Sequence, residues 1–161
     1  MIIAIIISFI LEGIFTNLIS INSIFLPLFT ITSFVITYPY FNKEKKYLFI
    51  ITSFIIGVIY DIAYTNSLFI NTFTFILCSL LIMLINKYIK ENLISKIIIN
   101  IFITIMFKII SYLLLFTFEF IKFNQNILLK GIYSSLILNI IYGLILYIIC
   151  DKINRKLKLR K

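Results

Sequence analysis

The chain of 161 residues predicts an all-α integral membrane protein, a bundle of six transmembrane helices, and three observations lead there. Hydrophobic residues make up 62% of it and the mean hydropathy is +1.14, which is more apolar surface than a soluble fold hides from water. The apolar residues fall into six runs, at about 2–19, 24–41, 47–63, 68–85, 97–118 and 128–150. Each run is near the ~20 residues that carry a helix across the hydrocarbon core. None alternates polar with apolar residues as the strands of a membrane barrel do, so helices are the expected spanning element.

Each run carries its own polar stripe. The first starts directly after Met1, with no basic region before it and no small-residue cleavage site after it, so a retained helix is expected rather than a signal peptide. Its polar positions are Ser8, Glu12 and Thr16. The second carries Thr30, Ser33 and Thr37, the third Ser53, Gly57 and Asp61, and the fourth Asn71, Thr74 and Cys78. The fifth carries Asn100, Thr104, Lys108 and Ser111, and the sixth Gly131, Ser135, Asn139 and Gly143. Steps of three or four residues place each set on one side of a helix, which predicts six seams turned inward. Small and hydrogen-bonding residues along a seam let membrane helices approach closely, and the sixth run is the clearest packing seam. The same seams would also suit a solvated cavity for a small ligand. The absence of Trp and His and the scarcity of charge favour packing.

The connections are too short to fold by themselves, so residues 1–161 are expected to form a single transmembrane domain with a basic cytoplasmic tail at 151–161. Lys43, Lys45 and Lys46 lie between runs two and three, and Lys87, Lys90 and Lys96 between four and five. Lys152, Arg155, Lys156, Lys158, Arg160 and Lys161 follow run six, whereas the opposite side holds only Lys122 and Lys130. This asymmetry predicts cytoplasmic N- and C-termini. It also accounts for the formal net charge of +9 without a nucleic-acid partner. The tail suits an anchor against anionic membrane lipid, or a docking site for a cytoplasmic partner.

Three charges stand inside apolar runs: Glu12, Asp61 and Lys108. An ionisable group at mid-membrane depth costs roughly 2.5–3.5 kcal/mol on insertion scales, so it normally faces protein. At a rise of about 1.5 Å per residue, all three fall in one layer roughly 18–22 Å from the cytoplasmic ends. The expectation is an intramembrane polar network in which Lys108 pairs with one or both carboxylates. A proton relay would need a chain of carriers that the sequence lacks. Cys78 and Cys150 have no C-x-x-C spacing and there is no histidine, which gives no basis for a disulfide framework or a metal site. No nucleophile elbow, phosphate loop or paired catalytic carboxylate is visible, so neither enzymatic chemistry nor a cofactor is expected.

The stretch Gly57-Val-Ile-Tyr-Asp61, followed by Ile-Ala-Tyr-Thr-Asn-Ser-Leu68 and then Asn71, resembles the signature of the rod shape-determining protein MreD family. In that family a helix ending in G-x-x-x-D is followed by a short loop, typically P-x-G, and by a helix that starts near a His or Asn. Glu12 in the first run, Asn139 in the last and the basic end fit the same pattern, and the resemblance covers essentially the whole chain. Ser67 stands where the family usually has Pro and Phe69 where it has Gly, so the turn before helix four is expected to be built differently. The resemblance implies a non-enzymatic scaffold in the bacterial cytoplasmic membrane that supports rod shape and peptidoglycan synthesis. It implies association with MreC, and through it with MreB, RodA and a class B penicillin-binding protein. The family is also similar in architecture to the substrate-binding subunits of energy-coupling-factor vitamin transporters. That similarity supplies an alternative, a small-molecule uptake subunit, although its coupling motif of alanines four apart is missing: only Ala4 and Ala63 are present.

The charge asymmetry generates a topology test. Reporter fusions after Lys46, Lys90 and Lys161 should behave as cytoplasmic, and fusions after Asn22, Asn66 and Asn124 as external; an external C-terminus would contradict the reading.

Overall fold

The computed structural model describes residues 1–19, 27–41, 46–64, 69–89 and 92–158. These residues form six α-helices and no strand: α1 (Ile2–Ile19), α2 (Phe29–Thr37), α3 (Lys46–Tyr64), α4 (Ile70–Tyr88), α5 (Leu93–Thr117) and α6 (Gln125–Lys158). The last four are long and apolar enough to cross a membrane, and α1 adds another apolar helix of 18 residues. The outward faces are rich in exposed Ile, Leu and Phe, among them Ile6, Ile10, Phe54, Ile62, Phe102 and Ile145, as surfaces solvated by acyl chains require.

The second run departs from expectation. In place of a helix over 24–41, α2 has nine residues and is about 14 Å long at the standard rise, well short of a ~30 Å hydrocarbon core. A single 3-10 turn, Tyr38–Tyr40, follows it. Positions 24–26 lie outside the described residues. Pro27 and Pro39 bracket the helix, and neither has an N–H to donate into a longer α-helical ladder. All nine residues of α2 are buried, and the helix packs on α1, α4, α5 and α6. It is the axis of the bundle, which is why it is buried all round rather than on one face.

The largest core cluster gathers on this axis. Phe34 of α2 is fully buried, with its ring centroid 5.4 Å from Phe49 of α3 and 5.9 Å from Phe75 of α4. Phe75 in turn meets Phe107 of α5 at 5.1 Å. Such edge-to-face and tilted contacts add to packing beyond the area they cover. Ile36, Leu146 and Cys150 form a smaller cluster between α2 and α6. α3 packs principally on α4, and α5 on α6.

Helix boundaries shift the assignment of several basic residues: α3 begins at Lys46 and α4 takes in Lys87. α5 begins at Leu93, capped by the Asn92 side chain accepting the Ser95 N–H at 2.7 Å, so Lys96 lies within the helix instead of in a connection. There it is buried, and its ammonium donates to Asn86 Oδ1 of α4. α6 has 34 residues, about 50 Å at the standard rise, so residues 151–158 continue the helix rather than forming a separate tail. Asp151 and Arg155 pair at 2.8 Å one turn apart on this extension. Between α5 and α6, Asn124 donates its N–H to the Tyr112 hydroxyl at 2.5 Å, and that hydroxyl donates to the Asn124 carbonyl at 3.1 Å. Phe120 and Phe123 of this connection are exposed and Leu128 is half-buried.

Candidate functional site

Every α-helix starts with backbone N–H groups that have no partner within the helix. Inside a bundle in a bilayer, no water is at hand to take them. α2 starts in the protein interior, with Pro27, Leu28, Phe29 and Thr30 all buried. Glu12 of α1 meets this end: its Oε2 accepts the Thr30 N–H at 2.8 Å and the Thr30 hydroxyl at 2.6 Å. Its Oε1 accepts the Tyr60 hydroxyl of α3 at 2.7 Å. Asn139 of α6 completes the cap, its Oδ1 accepting the Leu28 N–H at 2.8 Å. The short central helix is thus held by side chains from the first and last helices of the chain. The positive end of its dipole faces the buried Glu12 carboxylate.

α4 starts in the same way. Asp61 Oδ1 accepts the Asn71 N–H and side-chain amide, each at 3.0 Å, and Oδ2 accepts the Thr72 N–H at 2.9 Å and hydroxyl at 2.7 Å. This cap comes from the preceding helix, so it also clamps α3 to α4. Gly57, one turn before Asp61, makes the approach possible: a Cβ there would lie 2.6 Å from the Cα of Thr72. The spacing Gly-x-x-x-Asp therefore has a mechanical reading, in which the glycine lets the two backbones touch and the acid on the same face reaches the exposed N–H groups. The residue just before α4 is Phe69, with a left-handed φ of 67°. A glycine adopts that conformation freely, which explains the family preference there and the strain that Phe69 carries. Ser67 lies outside the described residues.

The expected seams face inward: Ser8, Thr30, Ser33, Thr37, Ser53, Asn71, Thr74, Asn100, Thr104, Ser135 and Asn139 are all buried. Asn139 is their junction. Its carbonyl accepts Asn100 Nδ2 at 3.0 Å, and its own Nδ2 points to Thr104 Oγ1 at 3.4 Å. Gly143 is a close-packing point, since a Cβ there would meet Asn100 Nδ2 at 3.0 Å and Thr32 Cγ2 at 3.3 Å. Gly131 is not: nothing lies within 4 Å of a Cβ built on it, and its carbonyl serves instead to accept the Ser134 and Ser135 hydroxyls. The seam closes only from Ser135 onward.

Lys108 differs from the expected ion pair. It is half-buried, and among the described residues no salt bridge joins its ammonium to either carboxylate. Asp61 directs both oxygens, and Glu12 its Oε2, at helix N-termini instead. Sequence reading did not single out Tyr60, Thr72 or Tyr142. Tyr60 and Tyr142 sat among residues counted as apolar, although the Tyr142 hydroxyl is 2.6 Å from Ser8 Oγ. Thr72 fell between stripe positions. Gly13 was also missed; it leaves room for the Tyr64 hydroxyl, which donates to the Phe9 carbonyl at 2.9 Å.

Fold and site together define a multi-pass helical membrane protein whose buried acids join helix ends. The family model described as rod shape-determining protein MreD matches residues 1–157, essentially the whole chain, and the chain belongs to the MreD family. It is thus a shape-determining membrane protein. Comparison with curated proteins and with solved structures gives no match.

The two glycines separate contact from composition. Gly57→Ala pushes a methyl into backbone that cannot rotate away, and should lower stability in detergent micelles by about 1–3 kcal/mol. Gly131→Ala has open space and a better helix former, so it should be neutral or stabilising by up to ~1 kcal/mol. Equal loss in the two variants, read by thermal unfolding, would contradict the close-approach account.

Proposed function

We propose that this protein is a six-span, non-enzymatic scaffold of the bacterial cell-elongation machinery, resident in the cytoplasmic membrane as a single transmembrane domain with both termini in the cytoplasm. It supports rod shape and peptidoglycan synthesis through MreC, and through that partner connects to MreB, RodA and a class B penicillin-binding protein. Membership of the MreD family over residues 1–157 is the observation that carries this reading.

The site geometry supports it physically. The intramembrane polar network of Glu12, Asp61 and Lys108, the motif positions Gly57, Asp61, Asn71 and Asn139, and the seam of Ser135, Asn139 and Gly143 act as internal fasteners on this reading. Most seam hydroxyls and amides bond one another or nearby backbone, as Thr37 does to Ser33 and Thr74 to Ile70. A transporter subunit would need them to line a chamber. A scaffold works through its surfaces, here the lipid-facing helix flanks, the connection over 119–130 with Phe120, Phe123 and Leu128, and the basic end of α6. Aromatics at such a rim serve as interfacial anchors and as packing points for a neighbouring helix.

Depletion in a rod-shaped host should turn the cells round or wide, and the tagged chain should co-purify with MreC from solubilised membranes. Normal rods after depletion, together with a stoichiometric bound vitamin-sized molecule, would overturn the scaffold reading.

A further inference from the structure

A cleft of about 690 Å³ opens where the 3-10 turn after α2, the first turn of α3 and the last turns of α4 meet; Tyr38, Phe41, Lys46, Leu84, Asn86 and Lys87 are among its lining residues. Its two halves differ in chemistry. Lys46 and Lys87 are exposed at one end, and no acidic side chain is among the described residues that line it. Lys87 also stands over the ring of Tyr88, 5.6 Å from the centroid, a cation–π contact that restricts where the ammonium roams. Behind the wall, Asn86 binds the buried ammonium of Lys96, adding a third positive charge near the same end. The Asn86 amide is fixed in turn by donating to the Ile82 carbonyl at 2.7 Å. The other half is apolar: Leu80 and Leu84 line it and are 41% and 57% exposed, so the cleft runs out onto the lipid-facing side of α4.

A positive mouth above an apolar flute, open sideways to the bilayer, matches an anionic phospholipid in charge and shape. We propose that this cleft is a binding site for such a lipid, with the phosphate diester between Lys46 and Lys87 and an acyl chain laid along Leu80 and Leu84. The proposal rests on the membrane location of the chain and not on its partners, so it stands or falls independently of the elongation role. Lysines at a membrane surface each contribute about five-fold to binding of anionic lipid, so two acting on one phosphate give about thirty-fold.

The test is a lipid titration of the purified full-length protein in neutral detergent, read by native mass spectrometry, with phosphatidylglycerol and phosphatidylcholine as probes. The wild type should retain phosphatidylglycerol in preference to phosphatidylcholine. The Lys46→Gln/Lys87→Gln variant should lose roughly thirty-fold of that preference. Lys46→Arg/Lys87→Arg should keep most of it, which separates lost charge from lost fold. Lys122→Gln/Lys130→Gln, altered beyond the cleft, should bind as the wild type does. Equal retention of the two lipids by the wild type, as expected if an acidic protein segment rather than a lipid fills the cleft, would overturn the proposal. So would undiminished preference in the Lys46→Gln/Lys87→Gln variant, or the same loss in both glutamine variants.

Discussion

A helix that begins inside a bilayer-embedded protein presents N–H groups that must find acceptors, because an unsatisfied backbone group in hydrocarbon costs several kcal/mol. A carboxylate at the same depth is costly by itself. Placed together, the two liabilities offset each other: the acid gains donors and the positive end of a helix dipole, and the helix gains a cap. Glu12 at the start of α2 and Asp61 at the start of α4 are two instances of this arrangement within one bundle. Other features follow from it. Gly57 must lack a side chain so that α4 can come within reach of Asp61, and Asn139 must lie at the level where the Leu28 N–H emerges.

The central position of α2 extends these local contacts through the molecule. Because α2 touches α1, α4, α5 and α6, the cap at its start positions the helices around it as well as itself. Phe34 then relays the arrangement outward through Phe49 and Phe75 to α3 and α4. Without a hydrophobic driving force between helices in lipid, such packing and hydrogen bonding are what remain to specify the arrangement.

Much of this was legible in the sequence. Hydropathy marked the all-helical membrane class, and residue spacing marked the inward seams, since period and polarity are local properties. The Gly57–Asp61 pair was visible as a motif, but its purpose was not, because the cap depends on where Asn71 and Thr72 fall in another helix. Lys108 invited pairing with the acids by charge alone. Hydrogen-bond donors at helix ends carry no sequence label, and they took the carboxylate oxygens instead. The length of α2 was obscured because a fully buried short helix and a lipid-exposed spanning helix can both lie within one long, mostly apolar run. Gly131 shared the period of the packing seam without its contacts, since periodicity fixes the face of a helix and not how near a neighbour comes. At Phe69, the missing glycine suggested a turn built differently, yet the backbone there keeps the left-handed conformation a glycine would adopt.

The buried acids act through helix N-termini rather than through Lys108, and a pair of double-mutant cycles on unfolding in mixed micelles is the sharpest test of this. Asp61→Asn is combined with Thr72→Val in one cycle and with Lys108→Met in the other. A charge-assisted hydrogen bond predicts a coupling of about 1.5–3 kcal/mol between Asp61 and Thr72. For Asp61 and Lys108 the account predicts additivity to within ~0.5 kcal/mol. Strong coupling to Lys108, with none to Thr72, would contradict it.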